Sequence, residues 1–288
     1  MPGRYSPDRV RVFYDQFGAA EWDRFDRSLA GRVSLELHRR FQSRWVHPGD
    51  RVLEVGAGPG RFTIELARLG ARVLVSDISP GQLDLNRDRV AATGYEAAVE
   101  GRQLLDVTDL SSLERASFDV VTALGGPLSY VFERAGRGLD ELLAAVRPGG
   151  IVLFSVMSRW GSIHQFLDGV LKEFARGLTD EYRVLVETGD QFGETGRSTA
   201  RGLLHEMHLF TWEEVERLLA TRPCRLLEAS AANFLSVRAD GVLPDLNPET
   251  WDQFLNWEEA ACHARGALDA GTHILVALER APGRPGGP

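Results

Sequence analysis

The 288-residue sequence predicts an α/β fold with a doubly wound, mostly parallel sheet, and three observations point to it. Short strand-like runs at 51–55, 71–76, 100–105, 118–123 and 151–156, the last nearly continuous in apolar residues, alternate with helical stripes. Strands buried on both faces of a parallel sheet read this way, because crossover helices cover each side. A glycine cluster, Gly56-Ala57-Gly58-Pro59-Gly60, separates the first run from the first of those helices. An acid, Asp77, ends the second run, where doubly wound sheets hold their ligands beyond the carboxyl ends of strands.

Each element has its own signal. Residues 7–45 read as two helices, because Val12, Phe13, Phe17, Trp22, Phe25 and Leu29 recur at helical intervals and Val33, Leu35, Leu37, Phe41 and Trp45 continue the stripe. Gly18 and Gly31 supply the breaks, and Pro48-Gly49 closes the region. Phe62, Ile64, Leu66, Ala67 and Leu69 form a helix that stops at Gly70. Ser79-Pro80 opens the next, with Gln82 placed to complete a capping box. Leu139, Leu142, Leu143 and Val146 stripe another helix, which ends before Pro148-Gly149-Gly150.

Beyond the fifth strand the pattern loosens. Residues 160–174 read as helix and 183–187 as a short strand, both within an insertion. Thr211 and Glu214 form a second capping box, for a helix carrying Trp212, Val215, Leu218 and Leu219. Two late strands, 224–231 and 272–279, bring the sheet to seven, with a helix from Asn247-Pro248 between them. The expected organisation is an N-terminal helical cover at 1–47, a core at 48–157 and 208–280, an inserted cap at 158–207 and a flexible tail at 281–288.

Composition sets the class. Thirty-three Lys and Arg stand against 41 Asp and Glu, giving a net charge of −8, which disfavours a broad nucleic-acid or anionic-membrane surface. No apolar run approaches membrane-spanning length and residues 1–15 lack the apolar centre of a signal peptide, so a cytoplasmic protein is expected. Cys224 and Cys262 are the only cysteines; two reduced thiols are expected, one bridge remaining open. Monomer and homodimer both remain open.

The glycine cluster lets the backbone turn tightly and approach a ligand without side-chain obstruction. The Asp77 carboxylate is placed to accept both hydroxyls of a ribose, and Asp106, ending the third strand, to accept from an adenine amine. A capped turn or a solvent-facing acid is the plain alternative for each. The dinucleotide fingerprint wants a small third residue at position 61, which is Arg61 here, and no triphosphate-binding Gly-x-x-x-x-Gly-Lys run occurs.

At these residues the chain resembles the class I S-adenosylmethionine-dependent methyltransferases of small-molecule type. The resemblance runs through Glu54-Val55-Gly56-Ala57-Gly58-Pro59-Gly60, Val75-Ser76-Asp77-Ile78-Ser79, Leu105-Asp106-Val107, Phe118-Asp119-Val120-Val121 and Val146-Arg147-Pro148-Gly149-Gly150. It covers about residues 50–156. It implies a cofactor, S-adenosyl-L-methionine, released as S-adenosyl-L-homocysteine, with Gly56, Gly58 and Gly60 under the methionyl part and Glu54 orienting the loop or holding the amino group through water. It further implies Asp77 on the ribose, Ile78 against the adenine, Asp106 at the adenine amine with Val107 beside it, and Leu124 and Gly125 near the methionyl group. Tyr14 resembles a tyrosine that some members place over the cofactor carboxylate, although core packing suits it equally. The loop Leu124-Gly125-Gly126-Pro127-Leu128-Ser129-Tyr130 departs from the Asn/Asp-Pro-Pro-Tyr pattern of adenine and glutamine amide methyltransferases.

The implied reaction moves a methyl to an oxygen or nitrogen of a small molecule. The sulfonium already activates that methyl, so no metal is required. His205 is the candidate base and Tyr130 the candidate hydrogen-bonding partner of the acceptor, with Trp22, His164 and His208 as further candidates for the acceptor pocket. Packing or surface exposure is the alternative for every one of them. His205, Glu206 and His208 do not match the His-Glu-x-x-His metal pattern. RNA or protein methylation, and a noncatalytic cofactor-binding regulator, are the competing readings.

Overall fold

A computed structural model describes residues 5–177, 180–192, 206–239 and 246–282. Its strands are β1 Arg51–Val55, β2 Arg72–Asp77, β3 Val99–Leu104, β4 Phe118–Ala123, β5 Val146–Met157, β6 Asp190–Gln191, β7 Met207–His208, β8 Cys224–Ala231 and β9 His273–Arg280. Its α-helices are α1 Pro7–Phe17, α2 Ala20–Asp23, α3 Leu29–Ser43, α4 Arg61–Arg68, α5 Pro80–Ala92, α6 Ala135–Ala145, α7 Arg159–Gln165, α8 Leu167–Ala175, α9 Asp180–Thr188, α10 Trp212–Ala220 and α11 Pro248–Cys262. Seven strands form one sheet in the order β3-β2-β1-β4-β5-β9-β8, and β6 and β7 make a separate two-stranded ribbon. The five strands from β3 to β5 are mutually parallel; β9 runs antiparallel to both β5 and β8.

The alternation of side chains along each strand divides the core into two layers. Leu53, Val121 and Phe154 point to one face, under Leu139 and Leu142 of α6. Val52, Val73, Val120 and Leu153 point to the other, where Phe41 of α3 and Leu66 of α4 cover them. The order reverses between β1 and β4, so the loops after β1, β2 and β4 open on a common crevice, the switch point at which such sheets bind ligands.

Several local expectations need correction. Residues 7–45 hold three helices, not two: Gly18 caps α1, but Gly31 lies inside α3, whose true start is the Ser28 side chain accepting from the Gly31 N–H. Residues 183–187 belong to the helix α9, with Leu185 buried against Met207 and Leu209. The helix read at 160–174 is interrupted at Phe166, between α7 and α8. The Ser79 box is half made: its hydroxyl accepts from the Gln82 N–H, while the Gln82 amide turns to the carbonyls of Tyr14 and Gly18. The Thr211 box is complete, with the Thr211 N–H donating to Glu214 at 2.8 Å. Thr211→Ala is expected to cost about 1 kcal/mol, read as a lower denaturation midpoint with unchanged slope.

Cys224 and Cys262 are both free thiols. No helix among the described residues is long and apolar enough to cross a membrane.

Candidate active site

The crevice holds a cavity of about 800 Å³ that opens to solvent. Its floor is the turn from β1 to α4. Gly56, Gly58 and Gly60 all have positive φ, at 70°, 53° and 98°. A side chain on Gly56 would also strike the Pro127 ring, 2.6 Å from where its Cβ would sit. Gly56 and Gly58 line the cavity; Gly60 does not, because its Cα faces Asn86 and Val90 under the helix. Gly60 instead starts α4, and Arg61 beside it stacks on the Trp22 ring at 3.9 Å.

Asp77 lines the cavity and ties the loop together. One carboxylate oxygen accepts the Gly58 N–H at 2.8 Å, the other the Ser79 N–H at 2.9 Å. A carboxylate has about four acceptor positions, so two remain for a diol. Burial raises this carboxyl to about 6, against the backbone N–H groups of Ser79, Gly58 and Ile78, which lower it. Ile78, Asp106 and Val107 line the adjoining wall. Asp106 is fixed by the Thr108 N–H at 2.8 Å and by a residue the sequence did not single out, Tyr5, whose hydroxyl donates to it at 2.6 Å.

Glu54 does not line the cavity; it lies beneath it. Thr63 donates to one of its oxygens at 2.5 Å and Asn86 donates to Thr63 at 2.8 Å, a buried chain bracing the start of α4. Its other oxygen has no partner among the described residues. Burial raises the Glu54 carboxyl to about 8, although Thr63 lowers it. Both acids therefore bind protons more tightly folded than unfolded, and the stability this lends is present at low pH and lost as pH rises through about 6 and about 8. Without ligand, the melting temperature is expected to fall between pH 5 and 9 in scanning calorimetry, and Glu54→Gln to flatten the upper part of that fall.

The opposite wall comes from the N-terminal helices. Asp15 accepts from the Ser79 hydroxyl at 2.5 Å and Gln82 bonds the Tyr14 carbonyl at 3.0 Å, so α1 is pinned to α5 and Tyr14 lines the cavity. The Tyr14 and Tyr130 rings meet edge to face at 5.5 Å. Burial raises both phenols, Tyr130 to about 12, so each keeps its proton. Glu21 and Arg24, also unforeseen, form an ion pair at 2.5 Å on the cavity wall. Burial pushes the Glu21 carboxyl up against the pull of Arg24. The Arg24 guanidinium lies over Gly125, which lines the cavity with Leu124 and whose N–H donates to Ser155 at 2.8 Å.

Three expected pocket residues lie elsewhere. Trp22 is held outside the cavity, its ring between the guanidiniums of Arg61 and Arg89 at 3.9 and 4.2 Å. His164 is exposed on α7. His208 is drawn to Asp190 at 2.8 Å, next to a Glu214 that Arg159 grips at 2.8 and 2.9 Å. Burial works to lower the His208 imidazole, but Asp190 and Glu214 prevail and raise it. His205 lies outside the described residues.

A reversed-order parallel sheet with a glycine floor and acids ending β2 and near the end of β3 defines a nucleoside-binding α/β protein. Known proteins narrow the class. A methyltransferase-domain family matches residues 52–150. Magnesium-protoporphyrin O-methyltransferase of Rhodobacter capsulatus is 32% identical over 179 residues, 58% of this chain and 77% of that protein. Demethylmenaquinone methyltransferase of Clavibacter sepedonicus is 34% identical over 154 residues, 53% of this chain and 59% of that one, so the chain spans less than two thirds of this relative. The solved magnesium protoporphyrin IX methyltransferase of Synechocystis PCC 6803, with bound S-adenosylmethionine, shares the fold at a TM-score of 0.55 and 12% identity, over 96% of this chain and 97% of that one. The chain belongs to the S-adenosylmethionine-dependent methyltransferases.

Proposed function

We propose that this chain transfers the methyl group of S-adenosylmethionine to an oxygen or nitrogen of a small-molecule acceptor. One observation carries the reading: a single cavity of about 800 Å³ joins Gly56, Gly58, Asp77 and Asp106 to Tyr14, Arg24 and Tyr130. The first group fits an adenosyl moiety, with Asp77 on the ribose and Asp106 at the adenine amine. Arg24 suits the cofactor carboxylate, beside Leu124 and Gly125, and Glu21 suits its cationic end, while Glu54 braces the loop from beneath.

The bound donor supplies an activated methyl. The chain's residues align it with the acceptor and exclude water, and such alignment lowers a barrier by several kcal/mol, with effective molarities on the order of 10⁵ M or more. Tyr130 is a hydrogen-bond donor rather than a base, because its phenol stays protonated. The relatives named above carry porphyrin and quinone precursors in their names, which accords with a small acceptor. The acidic net charge of −8 does not favour RNA.

Radiolabelled methyl from S-adenosylmethionine tests this directly, with cell extract separated into small-molecule, RNA and protein fractions. Enzyme-dependent label is expected in the small-molecule fraction. Label confined to RNA or protein would contradict the reading.

A further inference from the structure

The donor chain that ends on Glu54 begins on the edge strand β3, at Arg102, which does not line the cavity. Its side chain is only 7% exposed. Two guanidinium nitrogens hold the carboxylate of Glu96 at 2.6 and 2.8 Å, a bidentate pair that fixes the plane of the group. The third, Nε, donates to the side-chain oxygen of Asn86 at 2.9 Å. Asn86 Nδ2 donates to Thr63 at 2.8 Å, and the Thr63 hydroxyl to Glu54 Oε2 at 2.5 Å. Asn86, Thr63 and Glu54 are all buried, so solvent does not compete along the inner part of the chain.

The direction of these bonds is set from the outer end. A guanidinium only donates, so Asn86 turns its oxygen to Arg102 and its nitrogen to Thr63. Thr63 then accepts from Asn86, and an ionised Glu54, which only accepts, takes the Thr63 proton. Without Arg102 the Asn86 amide is free to turn over, since its oxygen and nitrogen are nearly equal in size. Turned over, it presents an oxygen to Thr63, which then donates to Asn86 and leaves Glu54 Oε2 without its donor.

The same amide meets the glycine turn. Asn86 Nδ2 lies 3.5 Å from the Gly58 carbonyl and 3.2 Å from where a Cβ on Gly60 would sit. Gly58 in turn gives its N–H to Asp77. One side chain therefore joins the turn to the brace beneath it. Two charges act on Glu54 besides burial and the Thr63 bond: Asp77 on β2 raises its carboxyl, and Arg102 on β3 lowers it.

We propose that Arg102 is a positioning residue for the methionyl end of the cofactor site, acting through Asn86 and Thr63 on Glu54 and the glycine turn. The inference rests on the methyltransferase reading above. Arg102 touches neither methyl donor nor acceptor. It fixes the Asn86 amide, the amide fixes the Thr63 hydroxyl, and the hydroxyl fixes the carboxylate under the loop.

Calorimetric titration with S-adenosylhomocysteine tests this in the wild type, Arg102→Met, Asn86→Leu and the double variant. Each single change should weaken binding about tenfold, the equivalent of one net hydrogen bond, and raise the midpoint of the Glu54 carboxyl in a ¹³C-detected titration. Arg102→Lys, which keeps a cation and a donor, should retain most of the affinity. The double variant should bind no more weakly than Asn86→Leu, because a chain cut at Asn86 leaves Arg102 nothing to act through. Losses that add, or an Arg102→Met chain that binds like the wild type, overturn the proposal alone. Should Arg102→Met fail to fold, Arg102→Lys closes the same cycle: it should weaken binding only where Asn86 is present, and equal loss in both backgrounds overturns the proposal. Failure of the wild type to bind S-adenosylhomocysteine overturns the methyltransferase reading and this proposal with it.

Discussion

Replacing Arg24 by alanine is expected to lower stability by about 1–3 kcal/mol, because it leaves the half-buried Glu21 carboxyl without its partner. The same change separates two parts of the ligand. S-adenosylhomocysteine carries an amino-acid tail that 5′-methylthioadenosine lacks, and Arg24 lies over Gly125, where that tail is assigned. Calorimetric titration of Arg24→Ala should show S-adenosylhomocysteine weakened by one order of magnitude or more and 5′-methylthioadenosine little changed. Equal losses for both ligands would place Arg24 away from the tail. The double variant Arg24→Ala with Glu21→Gln should recover much of the stability and none of the discrimination, since it removes the stranded charge but not the need for a cation.

Asp77→Ala is expected to weaken S-adenosylhomocysteine and 5′-methylthioadenosine alike, by about 10- to 100-fold. Hydrogen bonds to a charged group are worth roughly 1.5–3 kcal/mol, and the carboxylate keeps two acceptor positions after holding Gly58 and Ser79. Asp77→Asn should not rescue binding. Its amide can satisfy one of the two backbone N–H groups but presents a donor to the other. Unchanged affinity in either variant would remove Asp77 from the ribose.

The central strands were legible because they are buried on both faces, which leaves largely apolar stretches such as Val52 to Val55 and Val120 to Ala123, whereas the edge strands β3 and β8 are half exposed. The glycine floor and the acid at 77 were legible for a similar reason: the turn, its helix and the acid lie within about 25 residues. Tyr5 was not, since it meets Asp106 across 101 residues and only the docking of α1 brings them together. Glu21 and Arg24 carried no signal of their own, yet they share the cavity wall with Tyr14 and Tyr130. Trp22 shows the reverse case, an aromatic at helical spacing drawn outward by two arginines.

The segment 183–187 misled because Val184-Leu185-Val186 is a short apolar run with two β-branched residues, while in the fold it lies within α9 with Leu185 packed by Met207 and Leu209. His38 and His273, a buried pair whose rings meet edge to face, carry no local signal at all. Their juxtaposition needs α3 to pack on the sheet and β9 to return antiparallel beside β5.

A structure determined with S-adenosylhomocysteine tests the central claim most directly. The account predicts the ribose hydroxyls on the Asp77 carboxylate, the adenine between Ile78 and Val107 with its amine at Asp106, and the amino-acid tail across Gly56 and Gly58 toward Arg24. A nucleoside bound outside this crevice, or an Asp77 side chain turned from the ribose, would contradict it.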